Sequence, residues 1–260
     1  MTDSTALIAR LRHLGAPIVA TQADARPPSA WLDAGLARAQ LHDLYAAEPA
    51  DAASGAGFAI ALALAARALP LLWIRTEASE RLGGRPHATG LAELGLAADA
   101  LVLVVVADEA ALLRAAADAA RCPGLGTLLI EAWGCAPGLD LTATRRLMLA
   151  AETSGVTVMS LRVGAEPSPS AAATRWGIAA VPSTALDADA PGLPAFDIEL
   201  LRRRGGPSGA RWRVEWNRDA KSFVPLAGGA AGTALPGAGL PLAADRAATR
   251  HPPAFVRRAG

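Results

Sequence analysis

The sequence predicts an α/β protein: a mostly parallel sheet with helices on both faces, an antiparallel C-terminal extension and a flexible tail. Three observations carry this. Short apolar runs alternate with longer helical stretches between residues 41 and 163. Runs such as Leu101 to Val106 are apolar throughout, not at every second residue, which suits strands covered on both faces. Past residue 165 the alternation stops, and strand-like segments follow one another across a Gly/Pro/Ser cluster.

Each element has a local reason. Leu7 to Leu14 reads as a short amphipathic helix with Leu7, Ile8, Leu11 and Leu14 on one face. Residues 16–36 are irregular and contain Pro27 and Pro28. Leu41 to Tyr45 is the first strand, and Glu48 to Ser54 a loop of small residues. Gly55 to Leu69 is helical and ends at Pro70, which cannot donate to a helix. Leu71 to Thr76 is a strand, Thr89 to Leu96 a short helix, and Leu101 to Val106 a strand. Asp108 caps a helix over Glu109 to Arg121, stopped by Pro123. Thr127 to Glu131 is a strand, Leu139 to Ser154 a helix closed by Gly155, and Val156 to Val163 a strand. Right-handed crossovers follow. Arg175 to Pro182, Phe196 to Arg203 and Arg211 to Asn217 are the later strands, the last two joined by the turn 204–209. The expected organisation is an N-terminal helix and linker (1–36), an α/β core (37–224) and a flexible basic tail (225–260) rich in Gly, Pro and Ala.

Composition narrows the class. Of 260 residues, 52% are hydrophobic, but 64 are alanine and only 4% are aromatic. The core is therefore built from Leu, Val and Ile layers with close Ala contacts. Balanced charge and high apolar content exclude wholesale disorder. Two cysteines exclude a disulfide scaffold; without a CxxC, and with His13, His42, His87 and His251 scattered, no metal site is expected. The best membrane candidate, Phe58 to Trp73, is too short and is broken by Arg67 and Pro70. The N-terminal apolar stretch carries Arg10, Arg12 and His13, so no signal peptide is read and a cytoplasmic location is expected. The net charge of +1 hides an asymmetry. Residues 1–200 carry 14 basic against 21 acidic residues (−7), and residues 201–260 carry 11 against 3 (+8). A basic end suits nucleic acid or an acidic partner; the plain alternative is a solvated tail.

The first strand-loop-helix is the place where an α/β sheet usually cradles phosphate. A phosphate loop needs G-x-x-x-x-G-K-[ST]. With its second glycine on Gly55, Ala50 takes the first glycine's place, Ala56 the lysine's and Gly57 the hydroxyl residue's. Lys221 is the only lysine in the chain, so no shifted register restores the charge for the β/γ-phosphates. The dinucleotide pattern also fails, because Gly55-x-Gly57 is followed by Ile60 where a third glycine belongs. Ser54 is then read as a helix cap, and Gly55 and Gly57 as a turn. Glu131, at the end of its apolar strand, stands where a magnesium-holding carboxylate would be, and Glu77 could sit beside it and polarise a water. Ser54, Gly55, Gly57, Glu77 and Glu131 together outline a degenerate nucleotide site with no cofactor expected. Solvent-facing carboxylates are the plain alternative.

No nucleophile motif occurs. Arg202, Arg203 and Arg204 enter the hairpin turn, and Arg257 and Arg258 lie near the last residue; these are the candidate partner or DNA contacts. Trp176, Trp212 and Trp216 lie near Arg175, Arg211 and Arg213. They fit a base-stacking platform or, more cheaply, a strand with one buried face.

Seven segments, in this order and spacing, carry a resemblance. They are Ala39 to Tyr45, Gly57 to Leu62, Leu71 to Arg75, Arg121 to Gly126, Leu139 to Arg146, Ser170 to Trp176 and Glu199 to Gly209. Together, over about residues 35–220, they resemble the ImuA family, RecA-related proteins encoded beside SOS-inducible translesion polymerases. The resemblance implies a RecA-like core. It also implies a non-catalytic accessory role in SOS-induced, error-prone translesion synthesis after DNA damage, as an adaptor between polymerase-type partners. Those partners would be an ImuB-like Y-family polymerase homologue and an error-prone C-family DNA polymerase, with RecA and DNA as further expected contacts. In RecA, basic residues after a late strand reach a neighbouring protomer's nucleotide, and Arg202 to Arg204 fall in a similar place. Two alternatives stay open: a divergent ATPase using Gly55, Gly57, Glu77, Glu131 and the arginines, and a single-stranded DNA binder using the C-terminal arginines.

Overall fold

The computed structural model describes residues 36–190 and 192–226. The helix expected over Leu7 to Leu14, the basic tail and Arg257 and Arg258 lie outside the described residues.

Among the described residues nine strands form one sheet. They are β1 (Leu41–Ala46), β2 (Leu71–Thr76), β3 (Leu101–Val106), β4 (Thr127–Trp133), β5 (Thr157–Val163), β6 (Thr174–Ala180), β7 (Ala195–Arg203), β8 (Arg211–Asn217) and β9 (Ser222–Pro225). Their spatial order is β3-β2-β4-β5-β1-β6-β7-β8-β9. β1 to β6 pair in parallel, and β7, β8 and β9 add antiparallel. This is the parallel core and antiparallel extension that the change of rhythm predicts. β9 is an addition, too short to read before its partner is known.

Among the described residues five helices cover the sheet: α1 (Ala52–Ala65), α2 (Glu77–Gly83), α3 (Ala88–Glu93), α4 (Glu109–Ala119) and α5 (Leu141–Ser154). On one face α1 packs against Leu44, Leu129, Leu161, Trp176 and Phe196. On the other, α4 and α5 pack against Leu41, Ile74, Leu128, Ile130 and Val158. The strand period of two sends alternate residues to each face, so an apolar strand feeds both cores. Asp108 caps α4 by accepting from the Ala111 N–H at 2.8 Å. Gly155 closes α5 with φ +85°, a conformation that glycine adopts freely.

Two expectations need correction. β3 is apolar throughout but is the edge strand, and Val102 is 51% exposed. The tryptophans form no open platform: Trp176 and Trp216 are fully buried. Trp176 packs with the Phe58 ring at 6.3 Å, and Trp216 with Phe223 at 5.0 Å. The cheaper reading, a strand with one buried face, is the one that holds.

Candidate functional site

Open α/β sheets take ligands beyond the carboxyl ends of their strands. Here that edge begins with the connection from β1 to α1. It consists of Ala47, Glu48 and one 3-10 turn, Pro49–Asp51, running directly into Ala52. The helix thus starts three residues before Gly55. Ala52 and Ala53 are strong helix formers, and Pro49 pre-sets the turn that feeds them. Ser54 is consequently the third residue of α1 and not its cap. The capping position belongs to Asp51, whose carboxylate instead accepts from the Ala180 N–H at 2.7 Å. Gly55 and Gly57 lie inside the helix and form no turn. Gly55 is needed for packing: a Cβ there would stand 2.7 Å from Leu161 Cδ1 and 3.4 Å from Ala46 Cβ. At Gly57 the nearest atoms, on Phe196, would be 3.7 and 3.8 Å away, an ordinary contact.

Glu131 is not the end of its strand either, since β4 continues through Ala132 and Trp133. It is 3% exposed. Its neighbours follow from register: Arg75 on β2 lies directly opposite, and Trp73 and Trp133 share its face at the strand period of two. Glu131 Oε1 accepts from Arg75 Nη2 at 2.9 Å and from Trp133 Nε1 at 2.5 Å. Oε2 accepts from Trp73 Nε1 at 2.9 Å. Arg75 is itself held by the carbonyls of Gly84 (2.8 Å) and Ser79 (2.9 Å), and stacks 5.5 Å from the Trp73 ring centre. Burial pushes the Glu131 carboxyl above its ordinary range; the Trp133 N–H, the Arg75 charge and the Trp73 N–H pull the other way. The carboxylate is thus engaged by protein donors on both oxygens.

Glu77 does not join it. It is the first residue of α2, exposed, and pairs with Arg81 at 3.7 Å. Its position at a helix N-terminus is favourable by itself. α2 was not legible as a helix, yet Thr76 caps it by accepting from the Ser79 N–H at 3.0 Å. A cavity of about 250 Å³ does bring Gly57 together with Arg75, Glu131 and Trp133. Ser54, Gly55 and Glu77 are not among its lining residues. Its volume falls below the roughly 300–1,000 Å³ of typical small-molecule sites.

The arginine triplet lies elsewhere. β7 runs antiparallel to β6 and ends with Arg203 opposite Thr174, the first residue of β6. Arg202 to Arg204 therefore run toward the amino edge of the parallel strands, the edge opposite Glu131. Three strands separate β7 from β4, on the order of 19 Å across the sheet. Arg204 bonds the Ala171 carbonyl and lies 3.2 Å from the Met148 sulfur; Arg202 reaches the Ala172 carbonyl at 3.5 Å. The triplet ties the hairpin to the segment before β6, and the structure does not bring it to the Glu131 cavity.

Two buried polar groups were not anticipated. His42 on β1 is fully buried: its Nδ1 lies 2.8 Å from Thr174 Oγ1 and its Nε2 2.9 Å from the Ala37 carbonyl. Asp43, next in sequence, points to the other face among Arg162, Ser170 and Arg175. The available signal was polar residues at matching positions of adjacent parallel strands.

The fold and this edge define an α/β domain with a mostly parallel sheet and an antiparallel extension, with its candidate loops beyond the carboxyl ends of β1, β2 and β4. No family model matches the chain. Protein ImuA of Caulobacter vibrioides, strain NA1000 / CB15N, is 40% identical over 133 residues, which is 47% of this chain and 53% of that protein. Protein ImuA of strain ATCC 19089 / CIP 103742 / CB 15 matches with the same identity and coverage. The chain is similar to Protein ImuA over this stretch, and it spans about half the length of the curated relatives it matches. Among solved structures, the crystal structure of the RadB recombinase is similar, with a TM-score of 0.46 and 11% identity, covering 72% of this chain and 90% of that one.

Proposed function

We propose that the chain is a non-catalytic accessory protein of damage-induced mutagenesis, an adaptor between polymerase-type partners in error-prone DNA synthesis. The observation that carries the non-catalytic reading is the engagement of Glu131 by Arg75, Trp73 and Trp133. A carboxylate that holds magnesium must turn an oxygen toward the ion. Here Oε1 has both lone pairs occupied and Oε2 one. The phosphate-facing helix start offers Ala52 and Ala53, and the sole lysine lies far along the chain at Lys221. We therefore read the loop after β1 as a degenerate phosphate loop. The mutagenesis role is supported by the similarity to Protein ImuA over 133 residues; the partners we propose, an ImuB-like Y-family polymerase homologue, an error-prone C-family polymerase and RecA, come from the family resemblance in the sequence.

Two measurements test this. Thermal melting with millimolar magnesium-ATP should leave the midpoint unmoved; a saturable, magnesium-dependent rise would restore the ATPase alternative. In cells, deleting the gene should lower damage-induced mutation frequency, and wild type and Glu77→Ala should restore it equally. An unchanged frequency in the deletion would remove the mutagenesis role.

A further inference from the structure

The same end of the sheet carries a second charged cluster, on the α5 face. Asp43, Ser160, Arg162 and Arg175 meet there, and Asp43 is 2% and Arg162 6% exposed. Asp43 Oδ2 accepts from Ser170 Oγ and lies 3.6 Å from Arg175 Nη2. Arg175 also donates to the Ser168 carbonyl and lies 5.6 Å from the centre of the Tyr45 ring. Arg162 acts on Asp43 through its charge. Its one hydrogen bond among the described residues is long, 3.5 Å from Nη2 to the Ala136 carbonyl. Arg162 Nε, Arg175 Nε and Ser160 Oγ are buried and have no hydrogen-bond partner among the described residues. Two guanidinium groups thus face one carboxylate, a surplus of one positive charge. A buried charge without a full set of partners is costly to keep and calls for an anion.

Arg162 lines a cavity of about 580 Å³ between the connection 134–140 and the connection 164–173. The walls beside it are largely apolar: Ala136, Leu139 and Pro169. Two exposed carboxylates, Asp140 and Glu166, also line it. That pattern selects among anions. A nucleic-acid backbone, with a charge at every phosphate, would meet Asp140 and Glu166 as well as Arg162. A single carboxylate carried by an apolar chain would meet Arg162 alone.

We propose that this cavity is a docking site for a protein partner, which inserts one acidic side chain flanked by apolar residues and seats its carboxylate on Arg162. The proposal deepens the adaptor reading and rests on it for the partner being a protein. Charge-assisted bonds from a guanidinium to a carboxylate are among the stronger ones available, so Arg162 carries most of the recognition.

Fluorescence anisotropy on the full chain tests it. The probe is a fluorescein-labelled heptapeptide with one Glu between two pairs of Leu; its counterpart carries Gln instead. Saturable binding of the Glu peptide is expected, tighter than the Gln peptide by about tenfold or more. Arg162→Met should abolish that difference. Leu141→Glu should weaken binding several-fold without moving the melting temperature, because Leu141 lines the cavity and is 53% exposed. This second variant keeps the test intact should Arg162→Met fold poorly. Absent binding, equal affinity for both peptides, or binding untouched by the variants would overturn the proposal. So would displacement of the peptide by an oligothymidine of about 20 nucleotides, which would make the cavity a nucleic-acid site. Loss of the cellular role with peptide binding intact would break the adaptor reading instead, so the two failures are distinguishable.

Discussion

One end of the sheet holds two arginine-carboxylate clusters, one on each face, and they are built differently. On the α1 face, one arginine meets one carboxylate, and Trp73, Trp133 and the carbonyls of Ser79 and Gly84 take up the other bonds, leaving Arg75 Nε as the one buried atom of this cluster without a partner among the described residues. On the α5 face, two arginines meet one carboxylate, and three buried donors are left over. Burial alone does not mark a site: Glu131 and Asp43 are both nearly inaccessible. The balance of donors and acceptors does. The first cluster is neutral and largely satisfied, so it stabilises a structure; the second is positive and unsatisfied, so it has chemistry left to offer.

The strongest way to break this comparison is to remove one arginine from each cluster. Arg75→Met strands a buried carboxylate and should destabilise the protein by about 3–5 kcal/mol in urea melts at pH 7. Arg162→Met replaces a poorly partnered buried charge with an apolar side chain, and should change stability by no more than about 1 kcal/mol in either direction. Equal losses would mean that the α5-face cluster is as closed as the other.

A pH titration sharpens the same contrast with a third buried group. Thr174 Oγ1 accepts from Trp176 Nε1 at 2.8 Å, so its hydroxyl proton is available to His42 Nδ1. His42 Nε2–H then donates to the Ala37 carbonyl. A second imidazole proton on Nδ1 would turn the Thr174 hydroxyl proton out of this bond, and no carboxylate is among the groups bonded to the ring. Burial pushes the His42 pKa down to about 4, with the Ala37 bond opposing. The unfolded chain binds this proton from its ordinary value of 6.5 downward. Stability from neutral His42 is therefore complete above about pH 6.5 and declines as the pH falls toward 4, by about 3 kcal/mol in all. Asp43 and Glu131 act in the opposite sense. Burial raises both, so stability linked to their protons is present at low pH and lost as the pH rises through their raised values. The measurement is thus the difference between wild type and His42→Gln across pH 7 to 4. A parallel pair of curves would show that the His42 proton is not linked to folding.

Much of the fold was legible because it rests on local rules. Leu71 to Thr76, Leu101 to Val106 and Arg211 to Asn217 are strands with the boundaries their composition predicts, and Asp108 and Gly155 end their helices as expected. The site was less legible because it depends on register. Arg75 and Glu131 are 56 residues apart and meet only when β2 lies beside β4. No spacing along the chain encodes that neighbour. Glu77 and Glu131 both follow apolar runs, yet one starts an exposed helix and the other sits inside a buried strand. Arg202 to Arg204 were read as partner or DNA contacts, and the antiparallel reversal at β7 sets them at the edge opposite Glu131, a placement no local spacing encodes.

The smallest effect discriminates most finely between the two readings of the loop after β1. If Gly55 and Gly57 were retained for phosphate, a methyl group would be unwelcome at both. Packing treats them differently. A methyl at Gly55 would sit 2.7 Å from Leu161 Cδ1, so Leu161 must shift within a filled core. That overpacking costs about 1–3 kcal/mol, against about 1 kcal/mol regained from helix propensity. A methyl at Gly57 meets Phe196 carbons no closer than 3.7 Å and keeps only the propensity gain. Gly55→Ala should thus be neutral to destabilising by up to about 2 kcal/mol, and Gly57→Ala stabilising by about 0.5–1 kcal/mol. Chemical denaturation of the two single variants resolves these signs. A loss at Gly57 would mean that the backbone there is held for something other than the helix, and the loop after β1 would regain its claim on a ligand.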